Sequence, residues 1–212
     1  MQIDQKQESS WRGKRPSDGH LAQRALEGDE RAFEALVQRY SGPLFSFICH
    51  FLGDYDQACD ILQQVFLQLY LSLPGLHLGV PLKPWLFQVA RNRCLDELRR
   101  KRALTFSELE SGGGGGEEEE LPMAVESIAD GRPLPEELAE RRDLQRLLLG
   151  AIQGLPPRFR AVVLLRYTAQ LSFAEIGQAL SMPEATAKTY FQRSKPFLRA
   201  SLSGQVRAGT PS

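Results

Sequence analysis

The sequence predicts an all-α protein of two small helical domains joined by a flexible acidic linker. Three observations carry that prediction. Apolar residues recur every three to four positions on both sides of the middle of the chain, which is the period of one helix face. Between those halves, Ser111 is followed by five glycines and four glutamates, a low-complexity run that cannot bury a core. Near the carboxy end, Ser172 to Glu175 and Ser181 to Glu184 form two capping-box patterns in quick succession, marking two short-spaced helix starts. The layout that follows is a disordered leader over 1–20, a helical domain over 21–103, a linker over 104–134, a second helical domain over 135–203 and a disordered tail over 204–212.

In order, Asp29 opens a helix with Phe33, Leu36, Val37 and Tyr40 on one face. Gly42-Pro43 is expected to break or kink it before Leu44, Phe47, Ile48 and Phe51 resume the pattern. Gly53 to Asp56 reads as a turn, with Asp54 or Asp56 as the next N-cap. The following helix buries Ala58, Ile61, Leu62, Val65, Phe66 and Leu69, and turns Asp60, Gln63, Gln64 and Gln68 outward. An outer face that is polar yet hardly charged is either plain solvent cover or a protein-docking surface. Leu73 to Pro84 reads as a Pro/Gly-rich loop leading into Trp85.

Lys83 to Arg102 is the stretch that the rest supports. Leu86, Val89, Ala90, Cys94, Leu95 and Leu98 make its apolar stripe, and Arg91, Asn92, Asp96, Arg99, Arg100 and Arg102 lie mostly opposite. From Gln88 to Arg102 six Lys/Arg face two acids, a net of +4. A basic face with Asn among the arginines and an indole at its mouth suits a polyanion that offers bases as well as phosphates. The plain alternative is a solvated face on a core helix.

Beyond the linker, Leu138, Leu144, Leu147, Leu148, Ala151, Ile152 and Leu155 form an amphipathic helix that Pro156-Pro157 ends. A second helix runs through Phe159, Val162, Val163 and Leu165 to Tyr167. The two Ser-x-x-Glu starts then open short helices, the second carrying Lys188, Arg193, Lys195 and Arg199 against Glu184. Together they read as a helix-turn-helix, or as a helical hairpin that does not touch DNA.

Composition bounds the function. The 212 residues are 42% hydrophobic and 25% charged, enough for one large or two small domains. The formal net charge of +0 hides an uneven distribution. From Glu108 to Glu137 ten acids face one base, Arg132, and cancel the basic segments on either side. Three cysteines (Cys49, Cys59 and Cys94) with no CxxC pair suggest free thiols in a reducing cytosol. Cys49, His50 and Cys59 fit no zinc-finger spacing, so no metal is expected. The charged start lacks an apolar signal region, and no apolar run approaches the ~18 residues of a membrane span. The expected location is the cytoplasm. No paired catalytic carboxylates or nucleophile constellation stand out, and the glycine run lacks the Lys-Ser/Thr of a phosphate loop. Neither enzymatic activity, a cofactor nor a small-molecule substrate is expected.

Two helical domains, each with a basic helix, and an acidic tether resemble the extracytoplasmic-function (ECF) sigma factors, the small two-domain members of the sigma-70 family. The resemblance covers roughly residues 22 to 203. FEALVQRYSGPLFSFICHFLGDYDQACDILQQVFLQLY is similar to the first part of region two, and PWLFQVARNRCLDELRRKR to its promoter-melting part. LPPRFRAVVLLRYTAQLSFAEIGQALSMPEATAKTYFQRSKPFLRASL is similar to region four.

The resemblance implies a subunit that binds core RNA polymerase and promoter DNA. By the same match, Asp60, Gln63, Gln64, Val65 and Phe66 would dock on the polymerase clamp, although Cys59 and Gln64 stand where acids are frequent. Lys83, Trp85, Gln88, Arg91, Asn92, Asp96, Arg99 and Arg100 would serve the minus-ten element, the arginines holding backbone and Trp85, Gln88, Asn92 and Asp96 capturing unstacked bases. Thr186, Lys188, Thr189, Gln192 and Arg193 would read the minus-thirty-five element, with Arg158 and Arg160 as phosphate clamps. Ala185, Ala187 and Tyr190 depart from the family's usual glycine, valine and arginine. An anti-sigma factor, often a membrane protein in this family, is the further implied partner. The runner-up reading is a stand-alone helix-turn-helix regulator with a helical sensing domain.

The linker is tested by distance. Promoter elements two helical turns apart are separated by ~70 Å. About 30 residues span ~30 Å as a relaxed coil and reach ~100 Å when extended. The tether must therefore be drawn out when both domains engage, or it is solvating filler whose path is irrelevant.

Overall fold

The computed structural model describes residues 16–75, 81–110 and 145–208. The leader to residue 15, the loop residues 76–80, positions 111–144 with the glycine-glutamate run, and residues 209–212 lie outside that description. Among the described residues the regular structure is helical. The order is α1 (Asp18–Leu26), α2 (Glu30–Leu52), α3 (Tyr55–Ser72), a 3₁₀ turn (Leu73–Gly75), α4 (Leu82–Glu110), α5 (145–153), α6 (Pro157–Tyr167), α7 (Phe173–Ala179) and α8 (Glu184–Ala208).

Local chemistry sets most boundaries. Asp29 caps α2 by accepting from the amides of Arg31 and Ala32, and Asp54 caps α3 by accepting from Gln57. Between them Gly53 takes φ 77°, the left-handed C-cap of α2 that glycine enters at little steric cost. Pro156 precedes α6, with Pro157 in its first turn, where a missing N–H costs nothing. Ser172 and Glu175 form the reciprocal capping box of α7.

Several expectations are corrected. The Gly42-Pro43 break does not occur, and α2 continues through Pro43 to Leu52. Tyr40, Leu44 and Phe47 are all buried on one face, so packing holds the helix across the lost amide hydrogen bond. The presumed loop ends early, because Leu82, Lys83 and Pro84 already belong to the first turn of α4. The helix also outruns Arg102 as far as Glu110, since Ala103–Glu110 holds no breaker before Ser111 and the glycines. At the amino end α1 starts at Asp18, three residues inside the leader expected over 1–20, and adds a helix before the one expected from Asp29. Tyr40 and Arg39 donate to the Asp18 carboxylate, and Arg39 also reaches the Pro16 carbonyl at 2.8 Å, fastening this short helix to α2.

The second capping box is absent too. The first hydrogen bonds of α8 run from Thr186 and Ala187 to the Pro183 carbonyl. Ser181 lies outside the helix, in a left-handed turn at φ 53°. What closes the turn is a close approach: a Cβ on Gly177 would lie 2.7 Å from the Met182 carbonyl oxygen, so α7 presents glycine there.

Side chains of α1 to α4 fill one interior, with Phe47 against Phe51 and Phe87 at ring separations of 5.7 and 5.5 Å. Each such fully buried ring contributes roughly 1.5–3 kcal/mol. The buried apolar set runs on into α6, α7 and the turn, because α4 packs against α7 and α2 against α6. The helix-turn-helix therefore rests on the first four helices.

Candidate nucleic-acid interface

Three surfaces collect the candidate residues. On α4, Leu82, Leu86, Phe87, Ala90 and Cys94 are buried and orient the helix, with Val89, Leu95 and Leu98 packed beside them. Burial pushes the Cys94 thiol up, so it stays an uncharged packing group. The opposite face carries Asn92, Asp96, Arg99 and Arg100 in the open, while Lys83, Trp85, Gln88 and Arg91 are half-buried. Arg91 donates to the Asn92 amide oxygen at 3.0 Å, Arg99 to Asp96 at 3.1 Å, and Arg100 to Glu97 through two bonds of 3.0 and 2.7 Å. Lys101 reaches Asp54 at 3.2 Å. Burial, with the like charge of Arg99, pulls Arg91 below the usual arginine value. The bonds from Arg100 hold Glu97 below the usual carboxylate range. An incoming phosphate thus meets cations that already have partners, Arg99 and Arg100 with theirs at i−3, and must exchange them.

The two ends of α4 differ in their surroundings. Arg99 and Arg100 face solvent. Gln88 instead donates from Nε2 to the Ser181 hydroxyl at 3.0 Å, across to the helix-turn-helix. Lys83 is close enough to Glu175 on α7 to act on its charge. Burial raises the Glu175 carboxyl, but the Ser172 hydrogen bonds and Lys83 outweigh that and leave it lowered.

On α8, buried Ala187 and Ser194 face inward, with Tyr190, Phe191 and Leu198 packed against the core. Lys188, Thr189, Gln192 and Arg193 are exposed on the outer face and Thr186 is half-exposed beside them. Lys188 pairs with Glu184 at 2.6 Å, and the Thr189 hydroxyl donates to the Ala185 carbonyl at 2.9 Å. Arg158 is exposed at the start of α6, its guanidinium over the Phe159 and Tyr190 rings at 5.6 and 6.0 Å. Tyr190, which replaces a frequent arginine, serves here as that aromatic platform and also meets Phe159 edge-on at 5.3 Å. Arg160 is not placed for a phosphate. It is half-buried, donating to the carbonyls of Phe51, Gln153 and Leu155.

On α3, Asp60, Gln63 and Gln64 are exposed while Phe66 is half-buried against the core, so the first three can be touched and the fourth supports them. Gln57, Asp60, Ile61 and Gln64 line an open cleft of about 260 Å³ with Glu97 and Arg100 of α4, which brings the docking candidates beside a backbone-holding candidate. The same outer face also shows Leu67, Tyr70 and Leu71 at 59%, 60% and 63% exposure. Sequence reasoning had counted none of these three, although their i, i+3, i+4 spacing beyond the buried stripe was the available signal. Among the described residues, no cluster of three or more His, Cys, Asp or Glu could hold a metal, the three cysteines are free, and no helix is long and apolar enough to cross a membrane.

Two separate cationic helices, one behind an aromatic residue and one inside a helix-turn-helix, are the pattern of a protein built to meet a polyanion. Comparison with known proteins is specific about which. The sigma-70 region 2 family matches residues 36–104, and the sigma-70 region 4 family matches residues 145–198. The ECF RNA polymerase sigma factor SigW of Bacillus subtilis is 31% identical over 176 residues, covering 83% of this chain and 91% of the relative. The ECF RNA polymerase sigma-E factor of Escherichia coli K12 is 26% identical over 195 residues, covering 90% and 97%. The chain belongs to the ECF sigma factors of the sigma-70 family. Among solved structures, CnrH in complex with the cytosolic domain of CnrY superposes with a TM-score of 0.62 at 22% identity, covering 91% of this chain and 99% of that one. The sigma factor RpoE in complex with the anti-sigma factor NepR from Bartonella quintana gives 0.61 at 20% identity, covering 81% and 96%. Both share the fold.

Proposed function

We propose that this sigma factor divides its work among the three surfaces. As a member of its family it directs core RNA polymerase to specific promoters and initiates transcription by melting DNA. The domain over 21–103 docks on core through Asp60, Gln63 and Gln64, with Phe66 holding that face in place. Its α4 captures the minus-ten element. Trp85, Gln88, Asn92 and Asp96 receive unstacked bases, while Lys83, Arg91, Arg99 and Arg100 hold the backbone. Opening a duplex costs a few kcal/mol per unstacked step, which a stacking indole and hydrogen-bonding side chains offset. The domain over 135–203 reads the minus-thirty-five element through Thr186, Lys188, Thr189, Gln192 and Arg193, with Arg158 on phosphate. The segment over 104–134 tethers the two.

The role is non-catalytic, since the chain supplies affinity and base selection while core supplies the chemistry, and it is exercised in the cytoplasm where core and promoters are. CnrH and RpoE are each held by a partner, CnrY and the anti-sigma factor NepR. By that likeness an anti-sigma factor, soluble or membrane-anchored, holds this chain.

The observation that carries the reading is that region 2 and region 4 matches each contain one of the two exposed cationic helices. The test is run-off transcription on genomic DNA with purified core and this chain, followed by mapping of the start sites. Starts that share two spaced elements support the reading. Binding to DNA without new starts would leave an ordinary operator-binding regulator instead.

A further inference from the structure

We propose that Tyr190 is a positioning residue for upstream-element binding: with Phe159 it builds a two-ring stage that holds the Arg158 guanidinium toward a DNA phosphate beside the bases read by α8. The proposal rests on the assignment of α8 to the minus-thirty-five element and deepens it, because it gives a role to a side chain that touches neither base nor phosphate.

α6 carries three arginines over aromatic rings: Arg158 over Phe159 and Tyr190, Arg160 over Phe51, and Arg166 over Phe173. Two of them use their N–H groups inside the protein. Arg160 donates to the carbonyls of Phe51, Gln153 and Leu155, and Arg166 donates to the Leu171 carbonyl at 2.8 Å. Arg158 differs. It is exposed, and among the described residues it is engaged by the two rings alone, at 5.6 and 6.0 Å, with no carboxylate or carbonyl bonded to it. A guanidinium held against aromatic rings is attracted by their quadrupoles and keeps its N–H donors. Arg158 is thus located without being paired, whereas Arg99, Arg100 and Lys188 must first part from a carboxylate.

The stage is held by packing. Phe159 is buried, meets Tyr190 edge-on at 5.3 Å with the rings 76° apart, and has the Phe197 ring at 5.9 Å. Tyr190 is half-buried and packs against the core, which fixes the second ring. Its place on α8 sets where the cation stands. Tyr190 lies four residues after Thr186 and three before Arg193, so all three share one ridge of the helix, and Arg158 stands beside side chains proposed to read bases. The backbone at this helix end adds little. Pro156 and Pro157 carry no N–H, and the Phe159 and Arg160 amides both donate to the Pro156 carbonyl, at 2.9 and 3.0 Å. A phosphate arriving there is met by the Arg158 side chain, and ordering that side chain beforehand lowers the entropy cost of the contact.

The test is a double-mutant cycle on the whole complex. Core polymerase with the full chain is bound to duplex DNA carrying the upstream element of a mapped start, over a series of salt concentrations. Arg158→Ala should weaken binding and lower the salt slope by about one ion. Tyr190→Leu keeps apolar bulk without a ring face, and should weaken binding about two- to fivefold, the range of an exposed cation–π contact. In the Arg158→Ala background the same change should cost nothing further. Tyr190→Phe, which keeps the ring and loses only the hydroxyl, should bind as the parent does. Thermal melts fix a temperature at which every variant is folded, and Tyr190→Met supplies a second ring-free side chain for the same cycle. A loss at Tyr190 of equal size with and without Arg158 would overturn the proposal, because the tyrosine would then act alone. A loss in Tyr190→Phe would overturn it as well, by making the hydroxyl itself the DNA contact. So would parent-like binding by Arg158→Ala, and Arg193→Ala then separates the causes. If Arg193→Ala still weakens binding, α8 keeps its assignment and only the stage falls; if it does not, the assignment has failed too.

Discussion

α4 and α8 are the two long basic helices of this protein, and they present their charge differently. On α4 four of the cations are already engaged: Arg91 with Asn92, Arg99 with Asp96, Arg100 with Glu97 and Lys101 with Asp54. On α8 the Lys188–Glu184 pair stands at the start, and Gln192 and Arg193, proposed to read bases, are exposed beyond it. The amino half of α4 lies under the helix-turn-helix, while the outer face of α8 is open. The lesson is that net charge along a helix does not say how available the charge is. On the roles proposed for them, a helix that traps bases only after strand opening can be held paired and partly covered, whereas one that reads an intact major groove has to be accessible from the start.

The strongest way to break that contrast is at Trp85. Trp85→Ala should leave closed-promoter binding nearly intact while lowering open-complex formation by roughly tenfold to a hundredfold, the worth of one base–aromatic stack. Permanganate reactivity of the melted strand measures it. Because Trp85 also packs against the core, a thermal melt must accompany the assay. Unchanged reactivity would remove α4 from strand capture.

A second comparison sets Arg193→Ala beside Arg100→Ala. Loss of Arg193 should cost about 1–3 kcal/mol at one position of the upstream element and relax selection there. Loss of Arg100, which is exposed and bonded to Glu97, should weaken all sequences alike and lower the salt slope by about one ion. Equal losses on the same promoters would erase the division between reading and holding.

The smallest effect is the most local. Glu175 caps α7, and its carboxyl lies below the ordinary carboxylate value of 4.5. A group whose folded value is depressed contributes its full stability above the unfolded value and loses it as pH falls through the folded one. The helix-turn-helix should therefore loosen on acidification below about pH 4.5, by a fraction of the ~1 kcal/mol typical of a cap, given that Glu175 is only half-buried and solvent still screens its charge. Glu175→Gln should flatten that acid limb in a pH series of thermal melts. An identical limb in the variant would assign it to other carboxylates.

Much of this was legible in the residues alone. The helices from α2 onward, the Asp29 and Ser172 caps, an Asp54 or Asp56 cap for α3, and the buried stripes of α3 and α4 all follow from periodicity and end-capping chemistry, which act over a few residues. The misses share one cause. Pro43 is tolerated because Tyr40, Leu44 and Phe47 bury on the same side, Ser181 gives up its capping role to a turn held by Gly177, and α1 persists because Arg39 and Tyr40 hold Asp18. Each outcome depends on a partner brought in by folding.

By itself, then, the sequence determined that there would be two helical domains, where α2 and α7 start, which faces are apolar, and that two of the helices carry excess positive charge. Only the tertiary structure decided that Arg160 would bind the main chain of another domain and that Gln88 would meet Ser181, 93 positions further along. Helix formation is governed by neighbours within a turn or two, whereas the availability of a charge or an amide is set by whatever distant segment packs over it.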